Sequence, residues 1–295
     1  VTALEDRLRH VARETDALIA RLLPPEQGPE ARLLGAMRYA TLGPGKRLRP
    51  LLVTESADLF GVPMARSLRV GAAIEVLHAY SLVHDDLPCM DDDDLRRGRP
   101  TVHRAYDEAS AVLAGDGLQS MAFEILADPA THPSAEVRID LVRALAHAAG
   151  PAGMVGGQAI DLAAATLDLD AAAVTRLQNL KTGAVFAFCC EAGGILGHAS
   201  PQQRVALRAY AHDFGLAYQI ADDLLDIEGD AAVVGKAVGK DENAGKATLV
   251  GLLGVEGARR QAALLANQAA RHLDAFGDKA GLLRELAAFA IARRA

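Results

Sequence analysis

Two groups of aspartates carry the first chemical signal in this 295-residue sequence. Asp85-Asp86-Leu87-Pro88-Cys89-Met90-Asp91 runs on through Asp92, Asp93 and Asp94 to Arg96-Arg97. Acidic runs are commonly solvated loops. Here, however, Asp85 and Asp86 close the apolar stretch Leu77 to Val83, where a buried helix end leaves charge uncompensated. A bound cation relieves that. The second group is Asp222-Asp223-Leu224-Leu225-Asp226. Gln219, Asp222 and Asp226 advance by three and four, which places them on one helix face. Carboxylate oxygens suit magnesium, which also keeps waters and substrate phosphate oxygens in its octahedron. A calcium EF-hand is excluded, because the sixth position counted from Asp91 is Arg96 where that loop needs glycine.

Basic groups complement the acids. Gly43-Pro44-Gly45-Lys46-Arg47-Leu48-Arg49-Pro50 opens a helix, and Lys46 and Arg49, three apart, face the same way at an end that favours anions. This is a diphosphate seat, with ordinary surface arginines as the plainer alternative. His78 lies two turns below Asp85 on the same face. Lys181-Thr182-Gly183 has no specificity alone. Lys236, Lys240 and Lys246 follow the second aspartates in a glycine-rich loop that can fold over an anion and exclude water.

Helices must position these groups. Alanine and leucine dominate, and Pro24-Pro25, Pro50, Pro129, Pro151 and Pro201 separate stretches of helical length. Leu207, Tyr210, Phe214, Ala217, Ala221 and Leu224 form one apolar stripe. Further helices are expected over about 3–22, 30–42, 46–60, 64–87, 110–127, 134–149, 171–197, 255–276 and 279–293. No stretch alternates with period two, and Leu87–Thr101 and Gly229–Lys246 read as polar loops. The fold class is all-α, a helical bundle.

With 51% hydrophobic and 23% charged residues and no linker, the chain reads as one domain over 1–295. Net charge −7 with clustered acids argues against nucleic acid. Three cysteines, Cys89, Cys189 and Cys190, fit a reducing cytoplasm better than a disulfide framework. Charged residues through Val1–Ala20 exclude a signal-peptide core, and the longest apolar run, Ala184–Cys190, is too short for a membrane span.

Together, Gly45-Lys46-Arg47-Leu48-Arg49-Pro50, His78-Ala79-Tyr80-Ser81-Leu82-Val83-His84, both aspartate groups, Gly156-Gly157-Gln158, Lys181-Thr182-Gly183 and Tyr218-Gln219-Ile220-Ala221 resemble the trans-isoprenyl diphosphate synthase family. The resemblance is closest to its bacterial farnesyl diphosphate synthases. It implies a single large bundle of the isoprenoid synthase type with a central active-site cavity, a cytoplasmic homodimer, and magnesium, three ions per active site in this family. By the resemblance, Asp85, Asp86, Asp91, Asp222 and Asp226 hold the metal. Arg96, Lys181 and Lys236 assist the allylic diphosphate, and Thr182 and Gln219 turn oxygen dipoles towards the allylic cation. Lys46, Arg49, His78 and Arg97 seat isopentenyl diphosphate, and Lys246 joins the substrate-binding set. The implied reaction is head-to-tail condensation of dimethylallyl or geranyl diphosphate with isopentenyl diphosphate by ionisation, condensation and elimination, giving farnesyl diphosphate.

The tail is expected to run beside the helix carrying Asp85, past Ser81, with Tyr80 closing the pocket at fifteen carbons. The alternatives are a geranylgeranyl diphosphate synthase or a non-catalytic partner subunit, although such a subunit should have lost part of a cluster. A terpene cyclase should replace Asp226 and its surroundings. The first cluster has the long spacing with Pro88 inside it, which must bend or end the helix. Pro44 stands where a second glycine is usual, and Tyr218 where phenylalanine is common.

Overall fold

The alanine- and leucine-rich stretches between prolines form helices, as their propensities dictate. The structure, a computed structural model, describes residues 2–164, 169–228 and 249–292. Their contacts divide the chain into two compact units. One comprises Val1–Thr54 with Val62–Val142, the other Glu55–Gly61 with Arg143–Ala295.

The first unit is built on α4 (Met64–Asp85), against which pack α1 (Ala3–Leu22), α2 (Ala31–Thr41) and α6 (Glu108–Ala127). Val70, Ile74, Val76, Leu77 and Val83 are buried on more than one face of α4, so this helix is central to its unit. A reciprocal Thr2–Glu5 capping box opens α1, and Asp107 caps α6 by accepting from the Ser110 amide at 2.6 Å. Helix α3 (Leu48–Asp58) starts in this unit and ends in the other, and α7 (Ala135–Ala149) does the same. Between α4 and α6 lie a hairpin of β1 (Leu95–Arg96) and β2 (Arg99–Pro100) and the one-turn helix α5 (Val102–Ala105). Arg97 and Gly98 both have positive φ, 52° and 73°, as a twist-matched two-residue hairpin turn requires. The hairpin corrects the expectation of a plain polar loop, since strands of two residues are too short to show a period.

In the second unit follow α8 (Met154–Ala164), α9 (Ala171–Gln178), a π-helical turn (Asn179–Gly183), α10 (Ala184–Leu196), α11 (Pro201–Glu228), α12 (Leu249–His272), a 3-10 turn (Asp274–Ala280) and α13 (Gly281–Ala292). Helix α11 packs along α12, and Val174, Leu216, Ile220, Leu224, Leu249 and Leu265 share their core. The expected apolar stripe is buried, and Tyr210 inside it donates to the Leu283 carbonyl at 2.8 Å. Helix α12 begins six residues before the expected 255, with Gly254 at φ 68° marking the kink that hid its start. Helix α8 was absent from the expected set, and the expected helix 171–197 is interrupted by the π turn.

None of the three cysteines forms a disulfide, and burial pushes the Cys190 thiol up to about 12 despite a hydrogen bond with Ser56. No described helix is long and apolar enough to cross a membrane.

Candidate active site

Helix α4 stops at Asp85, before Pro88, as a proline at that distance demands. The chain then folds back on itself: the Asp91 amide donates to the Asp85 carbonyl at 2.9 Å, and the Asp93 amide to the Asp86 carbonyl at 3.3 Å. An uninterrupted helix would point residues six apart about 120° away from each other. This turn instead returns Asp91 to Asp85. Asp86 is only 3% exposed, and Arg96 meets it with Nη2 at 2.6 Å and Nε at 2.7 Å, reaching Asp93 at 3.6 Å. Burial raises the Asp86 carboxyl above its ordinary value, against the opposing pull of Arg96. Burial alone would lower Arg96, but the hydrogen bond and charge of Asp86 hold it above its ordinary value.

Among the described residues no three acidic, histidine or cysteine side chains stand as they would around an ion. Like charges repel, and Asp86 is drawn to Arg96. The donor set itself, carboxylates on a turn that brings Asp91 back to Asp85, fits a hard divalent cation.

Basic groups gather beside this turn. Lys46 and Arg49 do not share a helix face as expected: α3 starts at Leu48, so Lys46 lies exposed in the preceding loop and Arg49 in the first turn. Arg47 at φ 47° separates them. Arg97 donates to the Pro44 carbonyl at 2.6 Å, which fixes the loop where glycine is replaced by proline. His78 is held well below its ordinary 6.5, first by burial and then by the charges of Arg49, Arg97, Arg96 and Arg47. It is therefore neutral at pH 7, in a field that attracts anions. Gly43, Pro44, Ala79, Asp86, Arg96 and Arg97 help line a cleft here.

The second unit holds its own constellation. Lys181 in the π turn pairs with Asp161 of α8 at 2.5 Å. Gly157, one turn before Asp161, lies so close that a Cβ there would stand 2.3 Å from the Lys181 amide nitrogen. Gln219 donates Nε2 to Asp223 at 2.8 Å, and Thr182 donates to the Gln219 Oε1 at 3.3 Å. A carboxylate accepts only, so the amide nitrogen must face Asp223 and the carbonyl oxygen must face Thr182. Gln178 also reaches Asp223, at 3.4 Å. Asp226 is buried, whereas Asp222 is half-buried. Lys236, Lys240 and Lys246 lie outside the described residues.

A carboxylate turn beside a basic seat, and a second carboxylate set beside a braced lysine, coincide with a match of residues 30–286 to the polyprenyl synthetase family model. The chain belongs to the polyprenyl synthetase family. It is similar to the apo structure of an FPP/GFPP synthase from Zymomonas mobilis, with 54% identity and a TM-score of 0.90 over 97% of this chain and 98% of that one. It is 42% identical to the farnesyl diphosphate synthase of Geobacillus stearothermophilus over 92% of this chain and 91% of that protein. Identity to the farnesyl diphosphate synthase of Escherichia coli is 41%, over 92% of each chain. The chain is a prenyltransferase with the all-α isoprenoid synthase fold.

In this polyprenyl synthetase, Tyr80 is 8% exposed and its ring stands edge-on to His84, centroids 5.1 Å apart. The His84 Nε2 lies 3.1 Å from the Val112 carbonyl of α6. Ser81 donates back to the His78 carbonyl at 2.9 Å. Sequence reasoning quoted Arg47 and Asp223 within motifs without giving them a role, and missed Glu75 and Asp161. Asp161 had a signal, since Gly157 and Asp161 are four apart and thus neighbours on one helix face. Glu75, three before His78, had the same one.

Proposed function

We infer that this chain joins an allylic diphosphate to isopentenyl diphosphate, giving farnesyl diphosphate, with residues 1–295 acting as one synthase domain. The observation that carries the chemistry is the group of Arg49, Arg96 and Arg97 around neutral His78, beside the folded-back Asp85–Asp91 turn. Cations there suit one diphosphate and carboxylates suit the metal that accompanies the other.

Asp85, Asp86, Asp91, Asp222 and Asp226 are the residues that would hold magnesium, three ions by family resemblance. Bound magnesium supplies Lewis acidity to the departing diphosphate. Lys181, aimed by Asp161, and Arg96 neutralise charge on that diphosphate as the allylic C–O bond breaks. Thr182 and Gln219 present oxygen dipoles to the resulting allylic cation. Lys46, Arg49, Arg97 and neutral His78 orient isopentenyl diphosphate, whose double bond attacks the cation. A proton then leaves to the released diphosphate and the new trans double bond forms. Lys236 and Lys246 belong to the same diphosphate-binding set by resemblance.

Tyr80 is the wall that stops growth at fifteen carbons, and Ser81 lies beside the tail on the same helix. The FPP/GFPP name of the 54% identical Zymomonas relative favours a second reading, in which a longer product accompanies farnesyl diphosphate. A homodimer in a reducing cytoplasm completes the proposal. Purified protein given labelled isopentenyl diphosphate, geranyl diphosphate and magnesium is expected to make a fifteen-carbon diphosphate that disappears with chelator. Absence of any condensation would overturn the reading in favour of a partner subunit.

A further inference from the structure

The guanidinium of Arg47 is 3% exposed and sits beneath the basic seat. Its Nε donates to Asp16 at 2.7 Å, its Nη1 to Glu75 at 2.8 Å, and its Nη2 to the carbonyls of Thr41 and Gly43, both at 2.8 Å. Four of its five N–H donors are thus engaged. Arg47 cannot also reach a substrate. What it holds is the start of the 43–46 loop and a carboxylate, Glu75, that is itself only 4% exposed.

Glu75 stands one turn before His78 on α4, so an anion is buried under a site that must attract diphosphate. A buried carboxylate without its partner is costly and recruits the nearest cation. Arg97 is that cation: burial first, then Arg47, Arg96 and Arg49, hold it below its ordinary value, and Glu75 is the neighbouring charge that favours its protonated form. Space is tight as well, because a Cβ on Gly45 would stand 2.6 Å from Arg97 Nη1 and 2.9 Å from Arg47 Nη1. The Arg97 and Arg47 guanidinium ends thus converge on Gly45, and Glu75 is bonded to the second of them.

We propose that Arg47 is a positioning residue for isopentenyl diphosphate, which neutralises Glu75 and anchors the 43–46 loop so that Lys46, Arg49 and Arg97 stay available to the diphosphate. The proposal rests on the reading of those three residues as that seat. It assigns Arg47 two roles, a charge shield and a strut.

Steady-state kinetics with the two substrates varied separately tests it. Arg47→Met is expected to raise KM for isopentenyl diphosphate about tenfold or more, as misplacement of binding groups does, and to leave KM for geranyl diphosphate unchanged. Adding Glu75→Gln removes the stranded anion, so the double variant should recover the part of the loss that comes from the charge shield. A folded double variant no better than Arg47→Met, or equal KM rises for both substrates, overturns the proposal. Asp16→Asn covers the case in which Arg47→Met does not fold. It loosens the strut from its solvent side and should raise KM for isopentenyl diphosphate alone, and an unchanged value counts against the proposal. Lys46→Ala separates the two layers of argument: if it leaves that KM unchanged, the seat itself is misassigned and the inference falls with it. If it raises KM while the Arg47 and Asp16 variants do not, only the inference fails.

Discussion

A product wall is only as firm as what braces it. The Tyr80 ring rests edge-on against His84, whose own Nε2 lies against the Val112 carbonyl, and glycine at 115 makes room for that imidazole, since a Cβ there would meet His84 Nε2 at 2.0 Å. Tyr80→Ser removes the ring and leaves the brace, so its products should lengthen beyond fifteen carbons. Chromatography of the dephosphorylated products decides this, and an unchanged spectrum discards Tyr80 as the wall. His78 makes a separate prediction. Burial, then Arg49, Arg97, Arg96 and Arg47, hold its pKa well below the ordinary 6.5, so the folded state binds fewer protons than the unfolded chain below that pH. Stability from this group is complete above about 6.5 and is lost as pH falls towards the lowered value. Thermal unfolding of His78→Asn should therefore depend less on pH between 7 and 5 than that of the parent, and parallel curves would refute this. The aspartate groups stood out in the sequence because their own spacing and apolar surroundings mark them, and His78 entered the proposed site only through the family resemblance. Arg47 did not stand out, because its meaning lies in Asp16 and Glu75, which are distant in sequence.

Helices α1 and α4 were legible almost to the residue and α11 through its apolar stripe, whereas α8 was not, because its small residues, Gly156, Gly157, Ala159, Ala163 and Ala164, give no apolar stripe to read. The same smallness is its function. Gly157 lets α8 touch the π turn, and Asp161 one turn later pairs with Lys181 at 2.5 Å. An extra residue in a helix shifts the face that the next side chains present, and π turns recur at functional sites for that reason. Gly157→Ala would place a Cβ 2.3 Å from the Lys181 amide nitrogen and 2.6 Å from its Cα, which are backbone atoms that cannot rotate away. Separating the two elements should cost about 1–3 kcal/mol of stability. It should also lower kcat more than it raises either KM, if Lys181 acts on the departing diphosphate as proposed. Denaturant unfolding together with kinetics checks both, and an unaltered kcat would show that the close approach serves packing alone.

At the scale of the whole molecule, the sequence showed abundant apolar residues without showing which stay exposed. On α6, Val112 is 41% and Leu113 55% exposed, adjacent residues on a helix whose other face is packed into the first unit. Exposed apolar side chains grouped on a rigid element are commonly covered by a partner, and a second copy of the same chain is the simplest one, because a two-fold interface needs only one self-complementary patch. Leu113→Lys places a charge on that patch and buries nothing new in the monomer. On the proposed homodimer it should therefore halve the mass measured by light scattering while leaving far-UV circular dichroism unchanged. Val112 links this surface to the proposed product wall, since its carbonyl meets the imidazole that stands against Tyr80. Loss of the partner should consequently loosen α6 beneath that brace and shift the products of the Leu113→Lys protein towards longer chains, an effect that dilution of the parent protein should reproduce. A variant that remains dimeric removes α6 as the interface, and a monomer with the parent's product spectrum separates the wall from assembly.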